Sequence, residues 1–373
     1  MHIGILTLPF NNNYGGYLQA YALIRILKDL GHNVELINRR PNRQYRVRFI
    51  YTIKTVIKIL IGKKHGPLFY DPEKNIKREG ILMMKFVNQS IPRSKPYYTS
   101  QQLKNGCKNK YDAIVVGSDQ VWRSIYVPNI EDFFLKFTKG QNLKRIAYAA
   151  SFGTNAPEYT KKQILQCGKL ITLFNAISVR EKSGINVINK FNWKVQIKPH
   201  VTLDPTMLLS REDYLKLINK HLNENINHYI FSYVLDQSKT TKKIIESINN
   251  SMKLPIYDIF NTIDKDSSQT ILPSIEHWLL SISESKFVIT DSFHGTVFSI
   301  IFNKPFAVYI NNYRGADRIE SLLSLLNLEN RIIKTQNDIE TIIQNEITWK
   351  DINKRIINLQ SKSLLFLKQS LKE

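Results

Sequence analysis

Five consecutive residues, Asp291-Ser292-Phe293-His294-Gly295, gather a carboxylate, a hydroxyl and an imidazole within a few residues of chain. The apolar run Phe287-Val288-Ile289-Thr290 precedes them and the apolar stretch 297–302 follows, so His294 stands at a strand-to-helix turn. An imidazole there can hold a phosphate as a cation, shuttle a proton, or simply cap the helix. None of the other seven of the eight histidines has a comparable setting. Arg180 follows Ala176-Ile177-Ser178-Val179 and precedes Glu181. Its planar fork of donors matches a carboxylate or a phosphate, a surface pair with Glu181 being the plainer alternative. Gly117-Ser118-Asp119-Gln120 comes directly after Val116, and Asn11-Asn12-Asn13-Tyr14-Gly15-Gly16 comes just after the apolar run 3–8. The three amides can donate and accept hydrogen bonds, as sugar hydroxyls require, while the two glycines let a ligand approach the backbone. An ordinary βα turn would use several of the same residues.

These clusters need elements to hold them. Short β-rich runs at 3–8, 34–38, 112–117, 145–151, 176–179, 229–234, 256–259, 287–290 and 306–310 alternate with helix-period stretches at 17–30, 160–174, 211–218, 240–251, 274–283, 296–302 and 352–371. That alternation predicts an α/β protein with parallel sheets. The stretch 201–205 marks a junction, which gives two Rossmann-like domains, 1–200 and 201–335, facing each other across a cleft. Residues 336–373 form a helical segment that packs back on the first domain. All four polar clusters then lie beyond the C-terminal ends of strands, the edge at which open α/β sheets bind ligands.

Composition sets further bounds. The chain has 373 residues, 43% of them hydrophobic, enough for a sizeable core. Lys and Arg number 53 against 31 Asp and Glu, a net charge of +22 that suits anionic partners or reflects a Lys-rich composition. Only Cys107 and Cys167 are present, so neither a disulfide framework nor a CxxC metal or redox site is expected, and a reduced cytoplasmic setting fits. The start, Met1-His2-Ile3-Gly4, lacks the pattern of a secretory signal, and no uncharged apolar run approaches the roughly 20 residues of a membrane span.

Taken in order, Asn13-Tyr14-Gly15-Gly16-Tyr17-Leu18-Gln19, Gly117-Ser118-Asp119-Gln120-Val121-Trp122, Ala147-Tyr148-Ala149-Ala150-Ser151-Phe152-Gly153, Ser178-Val179-Arg180-Glu181, Leu203-Asp204-Pro205-Thr206 and Thr290-Asp291-Ser292-Phe293-His294-Gly295 resemble the polysaccharide pyruvyl transferase family. The resemblance covers about residues 1–325, and the combination is far more specific than any one segment. It implies a fold similar to two-domain GT-B glycosyltransferases. It also implies transfer of a pyruvyl unit from phosphoenolpyruvate, as co-substrate, onto two hydroxyls of one sugar, with no metal or other cofactor. Arg180, Ser292, His294 and Gly295 match the donor side; His294, Arg180 and Asp119 would be the catalytic set. Asn11, Asn13, Gly15, Gly16, Gln19 and Gln120 fall to the acceptor. One place departs from the family pattern: many members carry an acidic residue where this chain has Gly16. That leaves Asp119 and Asp291 as the carboxylates at strand ends, with Asp119 favoured as the acceptor-side base.

The basic charge concentrates between Arg39 and Lys64, where Arg39, Arg40, Arg43, Arg46, Arg48, Lys54, Lys58, Lys63 and Lys64 surround Ile50, Ile53, Val56, Ile57 and Leu60 with no acidic residue among them. Such a segment either lies on an anionic bilayer, apolar face down, or packs as an amphipathic helix on the first domain. A bilayer seat fits a lipid-diphosphate-linked sugar acceptor at the inner leaflet. A nucleotide-sugar glycosyltransferase of the same architecture, or a non-catalytic carbohydrate binder, are the competing readings; no regular nucleic-acid-binding motif is present.

Overall fold

The computed structural model describes residues 1–42, 55–56, 59, 61, 77–218, 228–260, 271–310 and 315–372. Two wholly parallel sheets organise them. The first is ordered β2-β1-β3-β4-β5-β6 and comprises β1 (His2–Leu6), β2 (Asn33–Leu36), β3 (Ala113–Val116), β4 (Lys144–Ala150), β5 (Ala176–Val179) and β6 (His200–Val201). The second is ordered β11-β10-β9-β7-β8, with β7 (Ile230–Tyr233), β8 (Ile256–Asp258), β9 (Phe287–Thr290), β10 (Phe306–Tyr309) and β11 (Ile332–Ile333). Strands such as Ala-Ile-Val-Val in β3 and Phe-Val-Ile-Thr in β9 are buried at every position. That is why they read as continuous apolar runs: helices cover both faces of a parallel sheet. β6 and β11 escape a sequence reading because two residues carry no periodicity.

Strand order reverses at β1, which lies between β2 and β3, and again at β7, which lies between β8 and β9. Crossovers leave to opposite sides at such points and open a crevice beyond the strand ends. The loops after β1, β3 and β9 therefore arrive at one place.

The helix after β1 begins at Tyr14, three residues before the predicted start, because the Asn13 side chain accepts the Gly16 backbone N–H at 3.2 Å and caps it. Likewise the helix after β9 begins at Phe293 and not at 296, capped by Ser292. Helices at Ile81–Ser90, Ser100–Cys107 and Ala316–Leu326 were not predicted, while Asp338–Gln344 falls within the segment 336–373 expected to be helical. The C-terminal helix Trp349–Leu371 lies against the junction: Ser363 Oγ accepts the Leu203 backbone N–H at 3.0 Å, and the Phe366 ring lies 6.3 Å from Tyr148 of β4.

One apolar core runs continuously from the first domain to the second. Tyr14 stacks on Trp278 with centroids 5.3 Å apart and planes 9° from parallel, and donates its hydroxyl to the Pro273 carbonyl at 2.9 Å. Burial pushes its phenol far above the ordinary tyrosine range, so it remains a donor. The first helix is thereby tied to both domains.

Of the basic and apolar residues named for the proposed bilayer segment, Arg39, Arg40 and Val56 belong to the described residues; Arg43, Arg46, Arg48, Ile50, Ile53, Lys54, Ile57, Lys58, Leu60, Lys63 and Lys64 lie outside them. Arg39 must be withdrawn from any lipid-facing role. It is buried, with Nε 2.9 Å from Asp132 Oδ2 and Nη1 2.9 Å from the Tyr98 carbonyl. Among the described residues no helix is long and apolar enough to cross a membrane.

Candidate active site

A cleft of about 870 Å³ opens where the two sheets face each other. Asn11 and Asn13 reach it from the loop after β1 and Gly16 from the first turn of the helix that follows, Asp119 and Gln120 from the loop after β3, and Ser292 and His294 from the cap and first turn of the helix after β9. Four predicted residues, Gly15, Gln19, Arg180 and Gly295, do not line it. Each has a physical reason.

Gln19 is fully buried and donates its amide to Thr7 Oγ1 at 2.8 Å and to the Gly16 carbonyl at 3.1 Å, so it steadies the loop after β1 from beneath. Gly295 is required by packing: a Cβ there would lie 2.3 Å from Thr290 Oγ1, so its absence lets the helix sit on β9. Gly15 makes room for the histidine and not for a ligand. A Cβ at Gly15 would lie 1.9 Å from His294 Nδ1, whereas one at Gly16 would meet nothing nearer than 3.6 Å. Gly15→Ala should therefore expel the imidazole from its seat and remove most activity, while Gly16→Ala should fold and melt like the parent. Melting and turnover on the two variants check this; full turnover in Gly15→Ala would deny the contact.

Arg180 lies on the inner side of the cleft floor, almost wholly buried. Its Nη1 is 2.8 Å from Asp204 Oδ2, its Nη2 3.4 Å from Asp119 Oδ1 and its Nε 3.8 Å from Glu181 Oε2, while its guanidinium carbon sits 4.3 Å from the centre of the Phe293 ring. Phe293 thus stacks on this cation from the second domain. Glu181 is no surface partner: it is fully buried, and its Oε1 accepts the Ser151 hydroxyl at 2.7 Å.

Asp204 is the hub of this network. Beside Arg180, it accepts the Ser118 hydroxyl at 2.7 Å and the Thr206 hydroxyl and backbone N–H at 2.7 and 3.0 Å. Burial alone would raise its pKa, but His294, Arg180 and Ser118 outweigh burial and hold the carboxyl far below the usual range. The same contest keeps Asp119 ionised, with Arg180, His294 and Arg318 prevailing over burial. Glu181 goes the other way, burial pushing it up despite Arg180 and Ser151. His294 Nε2 stands 3.7 Å from Asp204 Oδ2, so the ring is fixed between a carboxylate of the junction and the Gly15 backbone.

Backbone strain gathers here as well. Asp119 adopts the left-handed region at φ 75°, with its carbonyl accepting the Ser151 and Val121 backbone N–H groups. Ala149 is left-handed at φ 47° within a register shift between β4 and β5. Such conformations cost about 1–3 kcal/mol each and persist where surroundings enforce them, commonly at sites. A buried network of two guanidiniums and three carboxylates is likewise a poor way to gain stability, and it lies beneath a cleft.

Asp291, the other strand-end carboxylate, accepts the backbone N–H groups of Leu235 and Asp236 at 2.7 and 2.9 Å, joining the β7 and β9 loops. Arg318, which the sequence reading missed, lines the cleft beside His294, with Nη1 3.6 Å from Asp119 Oδ1. Arg40, Lys77 and Arg93 also line it.

A family model described as polysaccharide pyruvyl transferase matches residues 13–313. No curated protein matches the sequence. Among solved structures, UDP-GlcNAc 2-epimerase from Neisseria meningitidis bound to UDP-GlcNAc superposes over 100% of this chain and 99% of its own, with TM-score 0.54 and 12% identity. A putative UDP-N-acetylglucosamine 2-epimerase from Listeria monocytogenes does so over 98% and 95%, with TM-score 0.53 and 10% identity. At such identities the likeness is one of fold, and that fold is GT-B.

Proposed function

Because the chain belongs to the polysaccharide pyruvyl transferase family, we propose that it moves the pyruvyl unit of phosphoenolpyruvate onto two hydroxyls of one sugar, closing a cyclic ketal and releasing phosphate. The observation that supports this reading most is the placement of His294 on the cleft floor, braced by Gly15 and Asp204 and facing the same space as the ionised Asp119.

The chemistry balances over two hydroxyl groups. His294 gives a proton to the methylene carbon of the donor, which becomes a methyl group and leaves C2 electron-poor. One sugar hydroxyl adds to C2, the C2–O bond to phosphate breaks, and the second hydroxyl adds to close the ring. Of the two hydroxyl protons released, one replaces the proton His294 gave and the other leaves with phosphate. A carboxylate with a depressed pKa is a weak base, yet a hydroxyl already bonding to an electron-poor carbon is strongly acidified, so Asp119 suffices to take its proton. Arg180 acts in this reading as a positioning residue that holds Asp119 and Asp204 in place. Asn11, Asn13 and Gly16 lie on the acceptor side, with Asn13 Oδ1 already engaged in capping the first helix. The acceptor class this reading favours is a lipid-diphosphate-linked oligosaccharide of a bacterial surface polysaccharide, met at the inner face of the membrane.

Phosphoenolpyruvate should raise the melting temperature, since a ligand at 100 times its Kd adds about 2.7 kcal/mol to stability. Nucleotide sugars should leave it unchanged. The reverse pattern would return the protein to the nucleotide-sugar glycosyltransferases.

A further inference from the structure

Tyr126 carries the most exposed aromatic ring among the described residues, at 43%, and it lines the cleft together with Asn11, Asn13 and His294. A ring left uncovered inside a cleft is a surface against which the apolar face of a ligand can lie. We infer that Tyr126 is the platform on which the C–H face of the acceptor sugar rests, an assignment that builds on the pyruvyl-transfer reading.

The chain holds this ring firmly from behind. Tyr126 closes the single turn Ser124–Tyr126 in the loop after β3, its backbone N–H donating to the Arg123 carbonyl at 3.1 Å. Arg123 is buried and fully occupied: Nη2 donates to Glu158 Oε1 at 2.7 Å, Nε to Glu158 Oε2 at 3.2 Å and Nη1 to Gln120 Oε1 at 3.1 Å. Its guanidinium carbon stands 4.8 Å from the centre of the Tyr126 ring and supports it. The Ser124 hydroxyl donates to the Glu158 carbonyl, and the Tyr159 hydroxyl donates to the Trp122 carbonyl at 2.6 Å. A turn pinned at this many points has little freedom left to lose when a ligand arrives.

The chemistry of the wall selects the sugar over the donor. Phosphoenolpyruvate is a small dianion with no broad apolar face, and Arg123, its fork already taken by the Glu158 carboxylate, is no clamp for it. A pyranose instead presents hydroxyls at its edge and C–H groups on its faces. The amides of Asn11 and Asn13 suit the edge, and an aromatic ring suits the face. Ile125, 57% exposed and also lining the cleft, widens the apolar surface beside the ring.

Steady-state turnover with phosphoenolpyruvate and a panel of lipid-linked glycans, on the parent chain, Tyr126→Ala and Tyr126→Phe, tests the assignment. Tyr126→Ala should melt like the parent and raise the KM for the glycan roughly tenfold, with the KM for phosphoenolpyruvate unchanged. Tyr126→Phe keeps the ring and should stay within about threefold of the parent. A Tyr126→Ala with the parent's glycan KM would overturn the platform, and so would one that raised both KM values alike or failed to fold. A Tyr126→Phe as impaired as Tyr126→Ala would overturn it too, by placing the effect in the hydroxyl. A parent chain that bound phosphoenolpyruvate yet pyruvylated no glycan of the panel would instead overturn the reading on which the assignment stands.

Discussion

Replacing His294 by Ala should lower pyruvyl transfer by about 10²–10⁴-fold, the usual contribution of a positioned general acid or base, while leaving the protein folded. The ring meets the Gly15 backbone on one side and stands 3.7 Å from Asp204 on the other, so its removal vacates space without stranding a hydrogen bond. Asp204 keeps Arg180, Ser118 and Thr206 as partners. Melting should accordingly change little. A variant with normal turnover would remove His294 from the mechanism, and one that failed to fold would make its role structural.

Arg180→Ala should behave differently, as a loss of stability of about 3–5 kcal/mol, the cost of leaving buried charges without their counterion. Three carboxylates, those of Asp119, Glu181 and Asp204, lie within 4 Å of this guanidinium, and all are buried. Arg180→Lys should lose less, since lysine keeps the charge but reaches fewer of the three groups. Chemical denaturation of both variants measures the difference. If Arg180→Ala unfolded at the parent's denaturant midpoint and lost only activity, Arg180 would be touching the donor directly, as the family resemblance alone implies.

Much of the fold was legible because a parallel sheet covered on both faces writes each strand as an apolar run, and β5 and β9 begin and end where the runs do. The candidate cleft was legible to the extent that polar residues directly follow such runs: Asp119, Ser292 and His294 line it, and Arg180 lies buried behind it. What the sequence conceals is the direction in which a side chain faces. Gln19 and Asn13 are both amides near the same loop, yet one is buried under it and the other opens to the cleft. Gly15 and Gly16 are adjacent and alike, yet the first faces His294 and the second the cleft. Arg318 was hidden for another reason. It is delivered by a helix that starts well past β10, so no strand end announces it.

Pyruvyl transfer is read most directly from the fate of the donor's methylene carbon. Phosphoenolpyruvate and a panel of lipid-linked glycans, incubated with the protein in deuterated water and followed by mass spectrometry and proton NMR, would show it. The glycan should gain one pyruvate less one water, with one deuterium in the new methyl group and one phosphate released, and His294→Ala should suppress all three together. A glycan that instead gained a sugar from an added nucleotide sugar, with phosphoenolpyruvate untouched, would contradict it.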